Sequence, residues 1–128
     1  MDKNDINEVS RVVVDAALKV HTALGPGLLE SAYQACLKHE LAAHGNKVIT
    51  QLELPVCYNG FKVDAGYRID MLVEDCLIVE LKSVEKLLPV HEAQLLSYLR
   101  LSNKSLGLLI NFNVTRLKYG IKRIANNF

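Results

Sequence analysis

Between Arg68 and Lys82 apolar and polar residues alternate twice, and this double alternation restricts the fold more than any other stretch of the chain. Ile69, Met71 and Val73 alternate with Arg68, Asp70 and Leu72, while Leu77, Val79 and Leu81 alternate with Ile78, Glu80 and Lys82. A period of two is that of a β-strand, so two strands joined by a tight turn are predicted. Placing both apolar rows on one side of an antiparallel pair sets Ile69 opposite Leu81, Met71 opposite Val79 and Val73 opposite Leu77. A slip of one residue would turn one row outward. That register puts Asp70 opposite Glu80, with Cβ atoms about 5 Å apart, and Lys82 two residues along on the same face. Two carboxylates so close repel unless a cation joins them, and their hard oxygen donors suit a divalent ion. The same register sets Arg68 opposite Lys82. A salt-bridge ladder would face unlike charges across the strands; here like faces like on both rungs, which favours a binding site over a ladder.

Of the 128 residues, half are hydrophobic and 23% are charged, which suits one α/β domain spanning 1–128 with a real core. No apolar run approaches the roughly 20 residues that cross a bilayer, and the polar start Met1-Asp2-Lys3-Asn4-Asp5 does not resemble a signal peptide. A cytoplasmic protein without a membrane partner is expected. Cys36, Cys57 and Cys76 are widely spaced, odd in number and lack a Cys-x-x-Cys pair, so they read as small core residues.

Val9, Val12, Val13, Ala16, Ala17, Val20 and Leu24 recur at helical spacing and predict a helix over 5–24. Gly25-Pro26-Gly27 breaks it, and a second helix is expected from Leu28 to His44, ended by Gly45. A strand over 47–58 follows; Asn59-Gly60 is a hairpin signal, and the next strand runs over 61–73 with an irregularity near Gly66. The third strand covers 77–83. Pro89 suits the first turn of a helix reaching Ser102, Leu106–Asn111 reads as a buried strand, and the segment after it as another. The predicted order is ααβββαββ.

Two helices carry polar residues that burial alone does not require. His91, Gln94 and Tyr98 share one face of the helix after Pro89. Glu30 and Tyr33 lie a turn apart just after Gly27, whose missing side chain is expected to let the helix start approach another backbone, and Glu30 is a candidate third carboxylate. Tyr33 and Tyr98 also read as core or half-buried aromatics, His91, near a helix start, as a surface residue or one that supports the site from behind, and His21, His39 and His44 as surface residues.

Asp70, Glu80-x-Lys82 and Gln94-x-x-x-Tyr98, in this order, resemble the PD-(D/E)XK nuclease superfamily, in particular its RecB-type exonuclease branch. Gly27-x-x-Glu30-x-x-Tyr33 resembles the GxxExxY family assigned to that superfamily; Ile69 stands where Pro is common before the motif Asp. The resemblance implies a restriction-endonuclease-like core, with a central mixed β-sheet flanked by helices, and hydrolysis of phosphodiester bonds in DNA or RNA. It implies Mg²⁺ or Mn²⁺ on Asp70, Glu80 and the Leu81 carbonyl, with Glu30 a direct or water-bridged ligand. Lys82 would position or deprotonate the attacking water or neutralise developing charge, while Gln94 and Tyr98 orient Lys82 and the phosphate, with His91 assisting. A nucleic-acid-binding or protein-interaction module of the same fold without turnover is the alternative, and the small size suits a homodimer or an accessory subunit.

Charge is uneven along the chain. Residues 1–92 hold nine Lys/Arg against fourteen Asp/Glu, whereas 93–128 hold six Lys/Arg and no acid. Over 116–123, strand alternation would turn Leu117, Tyr119 and Ile121 inward and gather Arg116, Lys118 and Lys122 outward. Such a row either meets nucleic-acid phosphates or protects a solvated sheet edge.

Overall fold

The computed structural model describes residues 1–128. Two helices open the chain, α1 (Lys3–Leu24) and α2 (Glu30–Ala43). The side chain of Asp2 caps α1 by accepting the Asp5 N–H at 2.8 Å, and the helix ends at Gly25 with φ 68°. Of the predicted stripe, Val9, Val13, Ala17 and Val20 are buried and are joined by Ile6, Ser10 and His21, whereas Val12 and Ala16 are half-buried and Leu24, at the end of the helix, is exposed.

Five strands form the main sheet: β1 (Val48–Glu53), β4 (Arg68–Val73), β5 (Leu77–Lys82), β6 (Leu106–Asn111) and β7 (Ile121–Ala125), in the order β1-β4-β5-β6-β7. Only β5 and β6 run parallel, and α3 (Pro89–Ser102) makes the crossover that parallel pairing needs. All six residues of β6 are buried, as are five of six in β5, because helices cover both sides of the sheet. One core joins α1 and α2 to Met71, Val73, Val79, Leu81, Leu108 and Ile110. A second joins α3, through Leu95, Tyr98 and Leu99, to Leu54, Ile69, Leu72, Ile78 and Leu109. The expected central mixed sheet flanked by helices is therefore present.

The strand boundaries differ from the expected ones. The stretch 47–58 splits into β1 and β2 (Val56–Tyr58), and 61–73 splits into β3 (Phe61–Val63) and β4. Pro55, lacking an N–H, lies at the first break; at the second, Asp64 accepts the Gly66 N–H at 3.1 Å. β2 and β3 form a separate hairpin whose turn residues Asn59 and Gly60 both have positive φ, as a two-residue hairpin turn demands.

The basic stretch 116–123 is not one strand. A 3₁₀ turn takes Leu117–Tyr119, and β7 begins only at Ile121. The cause is Gly120, which passes so near the Asn111 carbonyl that a Cβ there would meet the oxygen at 2.3 Å; its own carbonyl accepts the Asn111 N–H at 2.8 Å. Leu117 is buried, but Tyr119, expected inward, is 74% exposed. The outward row is thereby broken up: Lys118 lies in the turn over the Tyr119 ring, and Lys122 on β7 pairs with Glu92 at 3.3 Å.

His21, expected at the surface, is buried, with Nε2 hydrogen-bonded to the Val114 carbonyl at 2.8 Å. Of the three free cysteines only Cys76 is buried; Cys36 is half-buried and Cys57 is exposed. Apolar neighbours in sequence do not bury Cys57, because β2 belongs to the projecting hairpin and not to the main sheet.

Candidate functional site

The predicted register of β4 and β5 is present at Met71–Val79 and Val73–Leu77. The turn between the strands holds Glu74 and Asp75 at φ 52° and 56°. Beyond Met71 the ladder is continued by side chains. Glu80 accepts the Asp70 N–H at 2.7 Å through Oε2, and Asp70 accepts the Leu81 N–H at 2.9 Å through Oδ2. The two carboxylates thus take up backbone donors on each other's strands, which fixes them beside one another at the end of the pair.

This exchange alters what flanks it. Ile69 does not share a face with Met71 and Val73; it packs on the α3 side, while Leu81 packs on the side of α1 and α2. The expected pairing of Ile69 with Leu81 is therefore absent. Arg68 does not face Lys82 either, for it pairs with Glu53 on β1 at 3.1 Å. The β1–β4 register passes from Thr50–Met71 to Leu52–Ile69, and the intervening Gln51, facing Asp70, has φ 53°. A regular strand would keep Ile69, Met71 and Val73 on one face; their separation falls at Asp70, opposite the left-handed Gln51.

Burial and mutual repulsion set the electrostatics. Glu80 is only 4% exposed, and burial, followed by the Asp70 charge, pushes its carboxyl up from 4.5 to about 8 against the opposing effects of the Asp70 N–H and Lys82. Burial also raises Asp70, offset in part by the Leu81 N–H and by Lys82. Burial raises the Tyr98 hydroxyl as well, and the charges of Glu80 and Asp70 add to it. Lys82 enters none of the six ion pairs, so its charge is left to act on the carboxylates.

Glu30 opens α2 at the rim of the pair, remains exposed, and accepts the Ser83 N–H at 3.4 Å. Ser83 also donates its hydroxyl to the Leu28 carbonyl at 2.6 Å, tying the end of β5 to the loop before α2. Tyr33 braces the same loop from beneath. Fully buried and stacked on Phe112 at 4.4 Å, it donates to the Gly25 carbonyl at 2.6 Å and accepts the Leu28 N–H at 3.1 Å. Gly27 serves differently from expectation: a Cβ there would meet nothing within 4 Å, and what requires glycine is φ 99°.

A depression of about 250 Å³ beside Asp70 is lined by Glu30, Ser31, Gln34, Gln51, Asp70 and Leu81, and neither Glu80 nor Lys82 lines it. None of Arg116, Lys118 and Lys122 lines it. On α3, His91 accepts the Leu88 N–H at 2.9 Å through Nδ1 and so holds the helix start. Tyr98 is buried edge-on to Tyr67, and with Gln94 it lines a separate groove of about 360 Å³ that includes Val56, Val90 and Leu101. Glu30 of α2 and Gln94 and Tyr98 of α3 thus line two depressions that share no residue rather than one.

No three His, Cys, Asp or Glu side chains converge as a ligand set, so the acidic centre is the pair Asp70 and Glu80 with Glu30 at its edge. Each carboxylate of the pair spends one oxygen on a backbone N–H, and burial makes ionisation costly without a counter-charge. Such a donor set fits a hard divalent cation. Gln34, Gln51 and Ser83 were not singled out by sequence reasoning. The spacing of Gln34 one turn after Glu30 was a usable signal; nothing in the strand pattern marked Gln51.

Neither the curated proteins nor the solved structures yield a match. A family model does, over residues 7–124, and its description is the PD-(D/E)XK nuclease superfamily. A mixed sheet with Asp70 and Glu80-x-Lys82 on adjacent strands agrees with that match, which covers nearly all of the chain; the chain belongs to the PD-(D/E)XK nuclease superfamily.

Proposed function

We propose that this protein hydrolyses phosphodiester bonds of DNA or RNA, with Mg²⁺ or Mn²⁺ held by Asp70, Glu80 and the backbone carbonyl of Leu81, and Glu30 a direct or water-bridged ligand. The observation that carries the reading is the pairing of half-buried Asp70 with buried Glu80, both raised in pKa and accompanied by an otherwise unpaired Lys82. When bound, the cation would supply a Lewis acid for the phosphate and make a nearby water more acidic. Lys82 stands two residues beyond Glu80, where it would orient that water or offset charge developing on the phosphate. Gln94 and Tyr98 would orient Lys82 and the nucleotide beside the scissile bond from the α3 groove, and the His91 cap keeps the start of that helix in place.

Arg116 and Lys118 would guide the polyanion in place of the expected three-residue row. They line a depression of about 500 Å³ with His21, Thr22 and Thr115, and neither pairs with a carboxylate, whereas Lys122 is engaged by Glu92. Gly27, Glu30 and Tyr33 support placement in the GxxExxY branch, and Gln94 and Tyr98 a RecB-type exonuclease-like character. Action as a homodimer or an accessory subunit belongs to the same reading.

The test is cleavage of single- and double-stranded DNA and RNA with Mg²⁺ or Mn²⁺, set beside binding in chelator. Lys82→Ala should abolish cleavage and leave folding and binding largely intact, because binding energy is spread over many phosphate contacts while transition-state stabilisation is local. Normal cleavage by this variant would remove Lys82 from the mechanism. Binding without cleavage by the unmodified protein would leave a module that has lost turnover.

A further inference from the structure

We infer that Gln51 is a positioning residue of this site, whose side-chain amide ties Asp70 on β4 to Gln34 on α2 and so sets the spacing between Asp70 and Glu30. The inference rests on the reading of Asp70 and Glu80 as the cation pair. Gln51 Nε2 donates to Gln34 Oε1 at 2.8 Å and reaches Asp70 Oδ1 at 3.5 Å. The other Asp70 oxygen is held by the Leu81 N–H at 2.9 Å, so the carboxylate is gripped from both sides and its rotation is restricted. Gln34 lies one turn after Glu30 on the same helix face, and all four side chains line one depression. Asp70 on β4 and Glu30 on α2 come from elements far apart in the chain, and Gln51 on β1, through its contacts with Gln34 and Asp70, is the side-chain link between them at the rim.

The backbone supports the assignment independently. Gln51 is a non-glycine residue with φ 53° inside a strand, at the position facing Asp70 where the β1–β4 pairing lapses. Val48 packs on the α1 and α2 side while Leu52 packs on the α3 side, although residues four apart in a regular strand share a face. Strained backbone of this kind persists where the surroundings over-determine it, and such places cluster at functional sites.

Gln51→Gly separates the two roles, since glycine takes a positive φ freely but lacks the amide. If Gln51 served only the bend, this variant would match the unmodified protein in its response to Mn²⁺ and in turnover. The positioning role instead predicts an increase of about tenfold or more in the Mn²⁺ concentration giving half the maximal thermal stabilisation. It also predicts a lower kcat with KM unchanged. Gln34→Ala should shift the Mn²⁺ response in the same direction, less strongly. In chelator, where no cation contributes, the stabilities of Gln34→Ala, Gln51→Gly and the double variant should be non-additive. Additive stabilities, or an unchanged Mn²⁺ midpoint in Gln51→Gly, would overturn the proposal. Absence of any Mn²⁺ response in the unmodified protein would instead refute the cation reading of Asp70 and Glu80, and the Gln51 tether would then be decided by the double-variant cycle alone.

Discussion

Glu80→Gln should change how the cation-free protein's stability depends on pH. The folded protein holds the Glu80 proton with a pKa of about 8, against 4.5 for an ordinary carboxyl. Between those values the folded state carries more protons than the unfolded chain, so raising the pH removes stability. The contribution is fully present below pH 4.5 and lost by the time the pH passes about 8. At about 1.4 kcal/mol per pH unit, this span bounds the loss near 5 kcal/mol, of which roughly 2–3 kcal/mol falls between pH 5 and 7. For a chain of this length that corresponds to a fall in Tm of about 10 °C. Glutamine keeps an oxygen for the Asp70 N–H and cannot ionise, so in chelator its Tm advantage should widen steadily from pH 5 to pH 8. Asp70→Asn should narrow the slope only in part, because the Asp70 charge ranks behind burial in raising Glu80. The assay is thermal or urea unfolding in EDTA across that range, read as the difference between variant and unmodified protein so that other titrating groups cancel. A difference independent of pH would mean that Glu80 is ionised throughout in the folded state, and the buried-acid account of this site would be wrong.

Replacing Arg116 and Lys118 by Gln should weaken nucleic-acid binding and reduce the slope of log K against log salt by up to about two phosphate contacts, while Lys122→Gln should leave the slope unchanged. Equal effects at Lys122 and at the other two would restore the single basic row. Tyr33→Phe removes the bond to the Gly25 carbonyl and leaves the Leu28 N–H without its partner, so urea unfolding should show a loss of about 1–2 kcal/mol. No loss would mean that stacking on Phe112 alone carries the brace.

The parts of the fold legible in the sequence were those in which a period and a burial requirement agree. The α1 stripe shows a helical period along one face, and the register of β4 and β5 follows from two apolar rows that must share a side. The lost boundaries came from residues that act through geometry and leave no period. Pro55 and the Asp64–Gly66 turn detach a hairpin from the strands; the expected irregularity near Gly66 marks the second break, but the apolar character of Val56, Tyr58, Phe61 and Val63 gives no warning that the hairpin leaves the main sheet. Gly120 ends the apparent strand 116–123 through a close approach to Asn111, a residue nine positions away whose proximity depends on how β6 ends. Alternation in a short segment reports what a strand would bury if it formed; only the neighbouring chain decides whether it forms.

At the site the same distinction takes a different form. Asp70 and Glu80 were found because opposed like charges are costly in a regular ladder, yet the structure meets that cost by departing from a regular ladder. Each carboxylate accepts a backbone N–H from the other's strand, which is possible only where the pairing opens beyond Met71. Opening it frees Ile69 to join the α3 core, puts Gln51 in a left-handed conformation and carries Arg68 to Glu53. Three observations that alternation did not foresee therefore follow from one exchange of hydrogen bonds. The exchange also explains why Gln51 escaped notice: a glutamine in a strand is unremarked until the residue facing it turns out to be held by its own side chain. Strain at Gln51 and burial at Glu80 are then two expressions of a single arrangement, one in which the strand pair is bent to hold two acids together.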